Sequence, residues 1–246
     1  MVKLGIIQTK SCNTNEEGVE RVAKILNKLG KKETQIVCLP EQWLKNNKIL
    51  DFDTTFARFK KIAKEYNMTI IPGAFYHTEK RNTSIVAPII NSEGEILEKQ
   101  EKIHPFDYEK DIIKPGNEAK IFKADRHKFG IIVCYDMVFS DVSNKLVKKG
   151  AQVLISPSRI VRRGIEPWRM YVQVRALENR IPILAANVED RKFGGKSMLV
   201  DLKEKNKVMI PKLTTLNGEV GVTKDFELDI YKKSREIRFS DSNRFD

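Results

Sequence analysis

Cysteine and histidine are both scarce in this 246-residue chain: Cys12, Cys38 and Cys134 on one hand, His77, His104 and His127 on the other. The cysteines are odd in number and lack CxxC spacing, which argues against a disulfide framework. The scattered histidines argue against a zinc site. No zinc site is therefore expected, and in a reducing compartment all three thiols are free. Long apolar runs are missing too. Nothing approaches the roughly 20 residues that cross a bilayer. The opening MVKLGIIQTK reads as a strand, too soon polar for a signal peptide. The expected location is the cytoplasm, with no membrane contact. No Pro/Gly/Ser-rich linker interrupts the chain, so residues 1–246 are read as one domain. Its polar tail, from about residue 235, is expected over the surface or against a partner subunit.

Acidic residues fall short of basic ones, 33 against 45, for a formal net charge of +12. Such an excess invites a nucleic-acid reading. The lysines, however, are interleaved with acids along the whole chain. The Lys-Lys pairs at 31–32, 60–61, 148–149 and 232–233 sit on or beside expected helices and loops. A solvated surface accounts for them better, and nucleic acid is the weaker partner.

What is present is a regular alternation. The apolar run KLGIIQ (3–8) precedes a helical pattern over 15–30, with Gly30 as its C-terminal cap. QIVCLP (35–40) reads as a strand. A second helix is expected over 53–67, capped by Asp53, then a strand over 68–76 and two more strands joined by a turn at Asn91-Ser92-Glu93-Gly94. The second half repeats the order: strand GIIVCYD (130–136), a helix near 140–149, strand QVLISP (152–157), a helix over 166–180, then strands at 181–187, 196–203 and beyond. Both halves read β-α-β-α-β-β-β. Short aliphatic strands alternating with helices indicate an α/β fold with sheets covered by helices.

Three polar side chains follow such strands directly. Glu41 succeeds IVCLP, Lys102 lies in EKIHPFDYE, and Cys134 stands at the exit of its own apolar run. In α/β architectures functional groups gather beyond the carboxyl ends of strands. Each residue alone has a structural reading: a first solvated glutamate, one lysine among many, a small buried hydrophobe. Their combination is what points to chemistry.

The segments LPE (39–41), KIHPFDYE (102–109) and CYD (134–136), in that order, resemble the nitrilase or carbon–nitrogen hydrolase superfamily. RALEN (175–179), a strand ending AAN (185–187) and GKSMLVD (195–201) extend the resemblance over most of the chain. The resemblance implies a four-layer αββα sandwich of two mixed sheets and homo-oligomers built by packing sandwiches together. It also implies cofactor-free hydrolysis of a non-peptide C–N bond in a small amide or carbamoyl compound, with nitrile hydrolysis as the alternative. Matched position by position, Glu41 is the general base, Lys102 the cation beside the reacting carbon and Cys134 the nucleophile. Glu109 is a second glutamate that positions substrate and lysine. The sequence departs from the family at Ser140-Asp141, where Pro-Glu is frequent, and at Ser156-Pro157-Ser158, where Asn-Pro-Ala is common. These differences bear on the substrate more than on the chemistry. Two rivals stand beside this reading: a non-catalytic interaction protein on the same fold, and a nucleic-acid-binding protein using the net charge.

The chemistry explains the residue types. A free cysteine has a pKa of roughly 8.5, and the thiolate is the nucleophile. An ammonium at about 4 Å is worth on the order of 4 kcal/mol at an effective dielectric near 20, so Lys102 is expected to help ionise Cys134. Glu41 would accept the thiol proton and return it to the leaving amine. Lys102 and the backbone N–H of Tyr135 would donate to the oxyanion. Arg159, Arg162 and Arg163 follow a strand end where the pocket should open. They form either a clamp for a substrate carboxylate or a solvated basic loop. His104 is expected to brace the turn after Lys102, and Arg175 with Glu178 to form a structural pair beside the pocket wall.

Overall fold

The computed structural model describes residues 1–242. Its first strand, β1 (Val2–Gln8), leads to helix α1 (Asn15–Gly30). The helix starts where the Thr14 hydroxyl accepts the Glu17 N–H, with Glu16 and Glu17 at the positive end of its dipole. Val22, Ala23, Leu26 and Leu29 form its buried stripe. Gly30 is not the left-handed cap expected of it; the left-handed position beyond the helix is Glu33, with φ 59°. Gly30 is needed for space, because a Cβ there would stand 2.3 Å from the Tyr66 ring.

Next come β2 (Ile36–Cys38) and two helices where one was expected, α2 (Phe52–Thr55) and α3 (Ala57–Glu65). The cap is Asp51, whose carboxylate accepts the N–H groups of Asp53 and Thr54. The strand expected over 68–76 is also broken, at Pro72-Gly73, into β3 (Thr69–Ile71) and β4 (Phe75–Glu79). Gly73 has φ 120°, and a Cβ on it would lie 2.2 Å from the Pro40 carbonyl oxygen. β5 (Asn82–Ile90) and β6 (Ile96–Glu101) follow, joined by the expected turn.

The second half contains β7 (Ile121–Ala124), a strand the sequence reading leaves out, then β8 (His127–Ile131), α4 (Ser140–Lys148), β9 (Val153–Pro157) and α5 (Ile165–Asn179). It continues through β10 (Ile183–Ala186), β11 (Met198–Lys205), β12 (Val208–Thr215), β13 (Val220–Phe226) and α6 (Lys232–Ser242).

The strands form two mixed sheets. One runs β13-β1-β2-β3-β5-β4 with β6 also on β5; the other runs β12-β11-β10-β9-β8-β7. β1, β2 and β3 are mutually parallel, as are β8, β9 and β10, and the outer pairs are antiparallel. Strand periodicity sorts the apolar side chains into layers. Leu4, Ile6, Ile36 and Cys38 meet Ile131, Ile155, Leu184 and Ala186 between the sheets. The alternate residues face outward: Ile7 and Val37 pack with α1 and α3, while Leu154 and Ile183 pack with α4 and α5. The result is the αββα sandwich. Two features were not foreseen. β13 leaves the second half to pair with β1, which breaks the repeated order of elements. The polar tail is helical as far as Ser242, where Arg235 donates to the carbonyls of Ala151 and Arg180 and Phe239 packs on the outer core of the second sheet. Residues 243–246 of that tail lie outside the described residues. No described helix is long and apolar enough to cross a membrane.

Candidate active site

The parallel strands of both sheets deliver their carboxyl ends to one side of the sandwich. There Thr9, just past β1, bridges Val188, just past β10. Glu41 lies three residues beyond β2, and its N–H donates to the Ser158 carbonyl beyond β9 at 3.2 Å. Lys102 follows β6 directly, tied to the Ile85 carbonyl at 2.8 Å. Cys134 stands three residues beyond β8, since the strand expected to reach 136 ends at Ile131.

The turn at Cys134 is strained. The residue has φ 48° and opens a tight turn over Cys134–Val138. A non-glycine residue held there costs on the order of 1–3 kcal/mol and persists only where its surroundings enforce it. Here Asp136 N–H donates to the Val133 carbonyl, and the Arg175 guanidinium reaches the carbonyls of Met137 (3.2 Å) and Val138 (2.6 Å). Arg175 is held in turn by Glu178 at 3.1 Å. The Arg175–Glu178 pair expected to be merely structural thus braces the turn that presents the thiol.

Lys102 Nζ sits between two carboxylates, 3.1 Å from Glu41 and 2.8 Å from the nearer oxygen of Glu109. Glu109 also accepts the Phe106 N–H at 2.7 Å, which fixes its orientation. Lys102, Glu41 and Glu109 are almost sealed from solvent (1, 2 and 3% exposed), whereas Cys134 keeps 9%. Among the described residues no group of three or more His, Cys, Asp or Glu is placed to hold a metal.

Electrostatics follow from this arrangement. Burial works against the Lys102 charge, but Glu41, Cys134 and Glu109 together raise its pKa above the ordinary amine range. Burial, then the Glu41 charge, raises the Glu109 carboxyl, against Lys102. Burial lifts Cys134 well above an ordinary thiol, and Glu41 lifts it further; Lys102 and the Arg159 N–H oppose this without prevailing. Lys102 thus acts on the thiol in the direction expected of it, while burial and Glu41 act the other way.

The remaining residues divide. Tyr135 presents its ring edge-on to Phe106 and Phe139, at 5.0 and 5.2 Å, forming an aromatic wall beside the thiol. Arg159 starts at the thiol itself, through its N–H, and its guanidinium donates to Gln42 Oε1 at 3.0 Å. Arg162 turns away to the Asp190 and Arg191 carbonyls, and Arg163 is exposed. The three arginines therefore do not act as one clamp. His104 does brace its turn: its ring stacks on Phe139 at 4.1 Å and meets Asp136 at 3.0 Å. Asp136 is the residue the sequence reading undervalued. It is buried and accepts the N–H groups of Ile103 and His104, binding the segment after Lys102 to the turn after Cys134. Its place inside the quoted CYD was the available signal. Gln42 and Tyr108 were also missed.

The family model described as carbon-nitrogen hydrolase matches residues 3–212. One curated relative is the omega-amidase NIT2 of Xenopus tropicalis, 25% identical over 203 residues, which cover 75% of this chain and 74% of that protein. Another is the deaminated glutathione amidase of Dictyostelium discoideum, 26% identical over 232 residues, covering 81% and 80%. Among solved structures, the carbon-nitrogen hydrolase from Helicobacter pylori G27 superposes with a TM-score of 0.84 at 20% identity, over 99% of this chain and 95% of that one. With a match running from β1 into β12, on the sandwich that this family shares, the chain belongs to the carbon–nitrogen hydrolase family, within the nitrilase superfamily, and is an enzyme of that class.

Proposed function

We propose that the protein hydrolyses the C–N bond of a small amide or carbamoyl compound through a thioester on Cys134. The observation that carries this reading is the buried Lys102 ammonium, gripped by Glu41 and Glu109, beside a thiol at a strained strand exit. Amides are favoured over nitriles because two relatives are named amidases.

Glu41 accepts the Cys134 proton as sulfur attacks the carbonyl carbon, so no free thiolate has to exist beforehand. Negative charge then moves from sulfur to the carbonyl oxygen, where Lys102 and the Tyr135 N–H donate to it. The tetrahedral species collapses by breaking the C–N bond, and Glu41 delivers the proton to the departing ammonia or amine. Water enters, Glu41 takes one of its protons, and attack on the thioester releases the acid and restores the thiol. Glu109 holds Lys102 in place throughout. A sealed ammonium between two carboxylates suits this role because charge-assisted bonds in a dry site need little reorganisation.

The test is intact-protein mass spectrometry against a panel of small amides. An acyl adduct is expected on the wild-type chain and absent from Cys134→Ala. Turnover should vanish in that variant and fall at least about 100-fold in Lys102→Ala and Glu41→Gln. Undiminished hydrolysis in any of them removes that residue from the mechanism. We also propose a homo-oligomer, supported by Met170, Tyr171 and Val174, which lie exposed on one face of α5.

A further inference from the structure

We propose that Asn187 is a positioning residue: its side-chain amide stands in for a missing strand carbonyl and so turns the Arg159 N–H onto the nucleophile. The inference rests on the Cys134 reading above and adds to it the means by which the sulfur is met by a backbone donor.

Along a strand, successive backbone N–H groups point to opposite sides. On the side of β9 that faces β10, the Leu154 N–H donates to the Pro182 carbonyl at 3.1 Å and the Ser158 N–H to the Ala186 carbonyl at 2.8 Å. Ile160 is the next donor on that side, but β10 has ended at Ala186. Val188 has turned to Thr9 of the other sheet, and its carbonyl accepts the Gly195 N–H instead. Asn187 fills the place: its Oδ1 accepts the Ile160 N–H at 2.8 Å. Ladder geometry is thereby carried past the end of the strand. The Arg159 N–H, between those two donors, points the other way, toward the chain beyond β8. There it meets the Cys134 sulfur and opposes the effect of burial on the thiol. Pro157 has no N–H, so beyond Ile155 this is the first donor that β9 offers to that side. The same short segment accepts the Glu41 N–H at the Ser158 carbonyl.

Asn187 is completely buried, and each of its polar groups is engaged. Its Nδ2 donates to the Gly195 carbonyl at 2.7 Å. Its N–H donates to the Ser197 hydroxyl at 2.8 Å, and that hydroxyl donates back to the Asn187 carbonyl at 3.2 Å. The Ser197 N–H is held by Gln8 Oε1 at 2.9 Å, and Gln8 Nε2 by Glu189 at 2.7 Å and the Gly218 carbonyl at 2.9 Å. Gly195 has φ 63°, and a Cβ on it would stand 2.9 Å from that of Glu189, so the turn requires glycine. A buried polar network with every member satisfied fixes one geometry. What this one delivers is an N–H aimed at the sulfur.

The experiment follows alkylation of Cys134 by iodoacetamide against pH, read by peptide mass spectrometry, in wild type, Asn187→Leu and Asn187→Asp. Leucine is similar in shape but cannot accept from Ile160. The thiolate then loses a donor, so the profile should move about one pH unit toward alkali, a loss of about tenfold in rate at fixed pH. For amide hydrolysis kcat should fall by about the same factor, with KM within about threefold. An aspartic acid buried there stays protonated, keeps both acceptor and donor, and should restore the rate to within about threefold. A merely structural asparagine would lower the urea midpoint and leave the alkylation profile in place, and that result overturns the proposal. Nitrogen-15 spectra of wild type and Cys134→Ala give a second reading without altering Asn187. Removing the sulfur should shift the Arg159 amide resonance and speed its hydrogen exchange about fivefold or more. An Arg159 amide indifferent to the sulfur overturns the proposal even if Asn187→Leu does not fold. If no amide is hydrolysed but alkylation still follows Asn187, the thioester reading falls and this one stands. Hydrolysis through Cys134 with a profile that ignores Asn187 gives the reverse.

Discussion

Lys102 shows how much a single side chain depends on its company. Its charge is kept in a dry interior only because Glu41 and Glu109 lie within 3.1 Å, and removing one partner of a buried charge group leaves the others uncompensated. Glu109→Gln is therefore expected to keep the fold and lower kcat about 10–100-fold, since it loosens a supporting contact rather than the reacting groups. Steady-state kinetics decide this, and an unchanged kcat would detach Glu109 from the lysine's function. Gly30→Ala tests a steric requirement. The added carbon would collide with Tyr66 and should lower the urea midpoint by an amount equivalent to about 1–3 kcal/mol. At this scale Glu41, Lys102 and Cys134 were legible as candidates because each follows a strand and matches a family segment. Gln42 was not, because what gives it meaning is Arg159, 117 residues away.

Between elements, the contacts that matter are polar and few. His104 and Asp136 join the segment after β6 to the turn after β8. The Asp136 hydrogen bond is the main cause that raises the His104 pKa; burial opposes it, and the charges of Asp136 and Asp141 add to it. A raised histidine contributes stability that is full below its unfolded value of about 6.5 and is lost as pH climbs through the higher folded value. The stability gap between wild type and His104→Gln should therefore narrow as pH rises above about 6.5. Urea midpoints measured across that range check the sign, and a widening gap would refute it. Helix α1 was legible to the residue because Thr14, the acidic first turn and the apolar stripe all agree. The interruption between α2 and α3 was not: Phe56 continues the helical spacing, yet its backbone leaves the helix at φ −108°, ψ 21° while its ring is buried. β7 escaped notice because half of it is polar or small, and its strand character comes from pairing with β8.

For the molecule as a whole, the exposed face of α5 should decide the assembly. Light scattering is expected to give a dimer or larger, and Val174→Glu to shift it toward monomer; a monomeric wild type would refute the homo-oligomer. The layered architecture was readable from alternating patterns, whereas the destination of the last strand was not, since nothing local in VGVTKDF says that it belongs next to the first. That pairing has a price during synthesis. Val2 finds its partner in Phe226, so this strand emerges from the ribosome and then stays open along one flank until synthesis has passed Phe226. At about 5–20 residues per second, this vacancy lasts on the order of tens of seconds. An apolar edge uncovered for so long can recruit a neighbouring nascent chain, and a message cut short before β13 would yield a product in which that exposure is permanent.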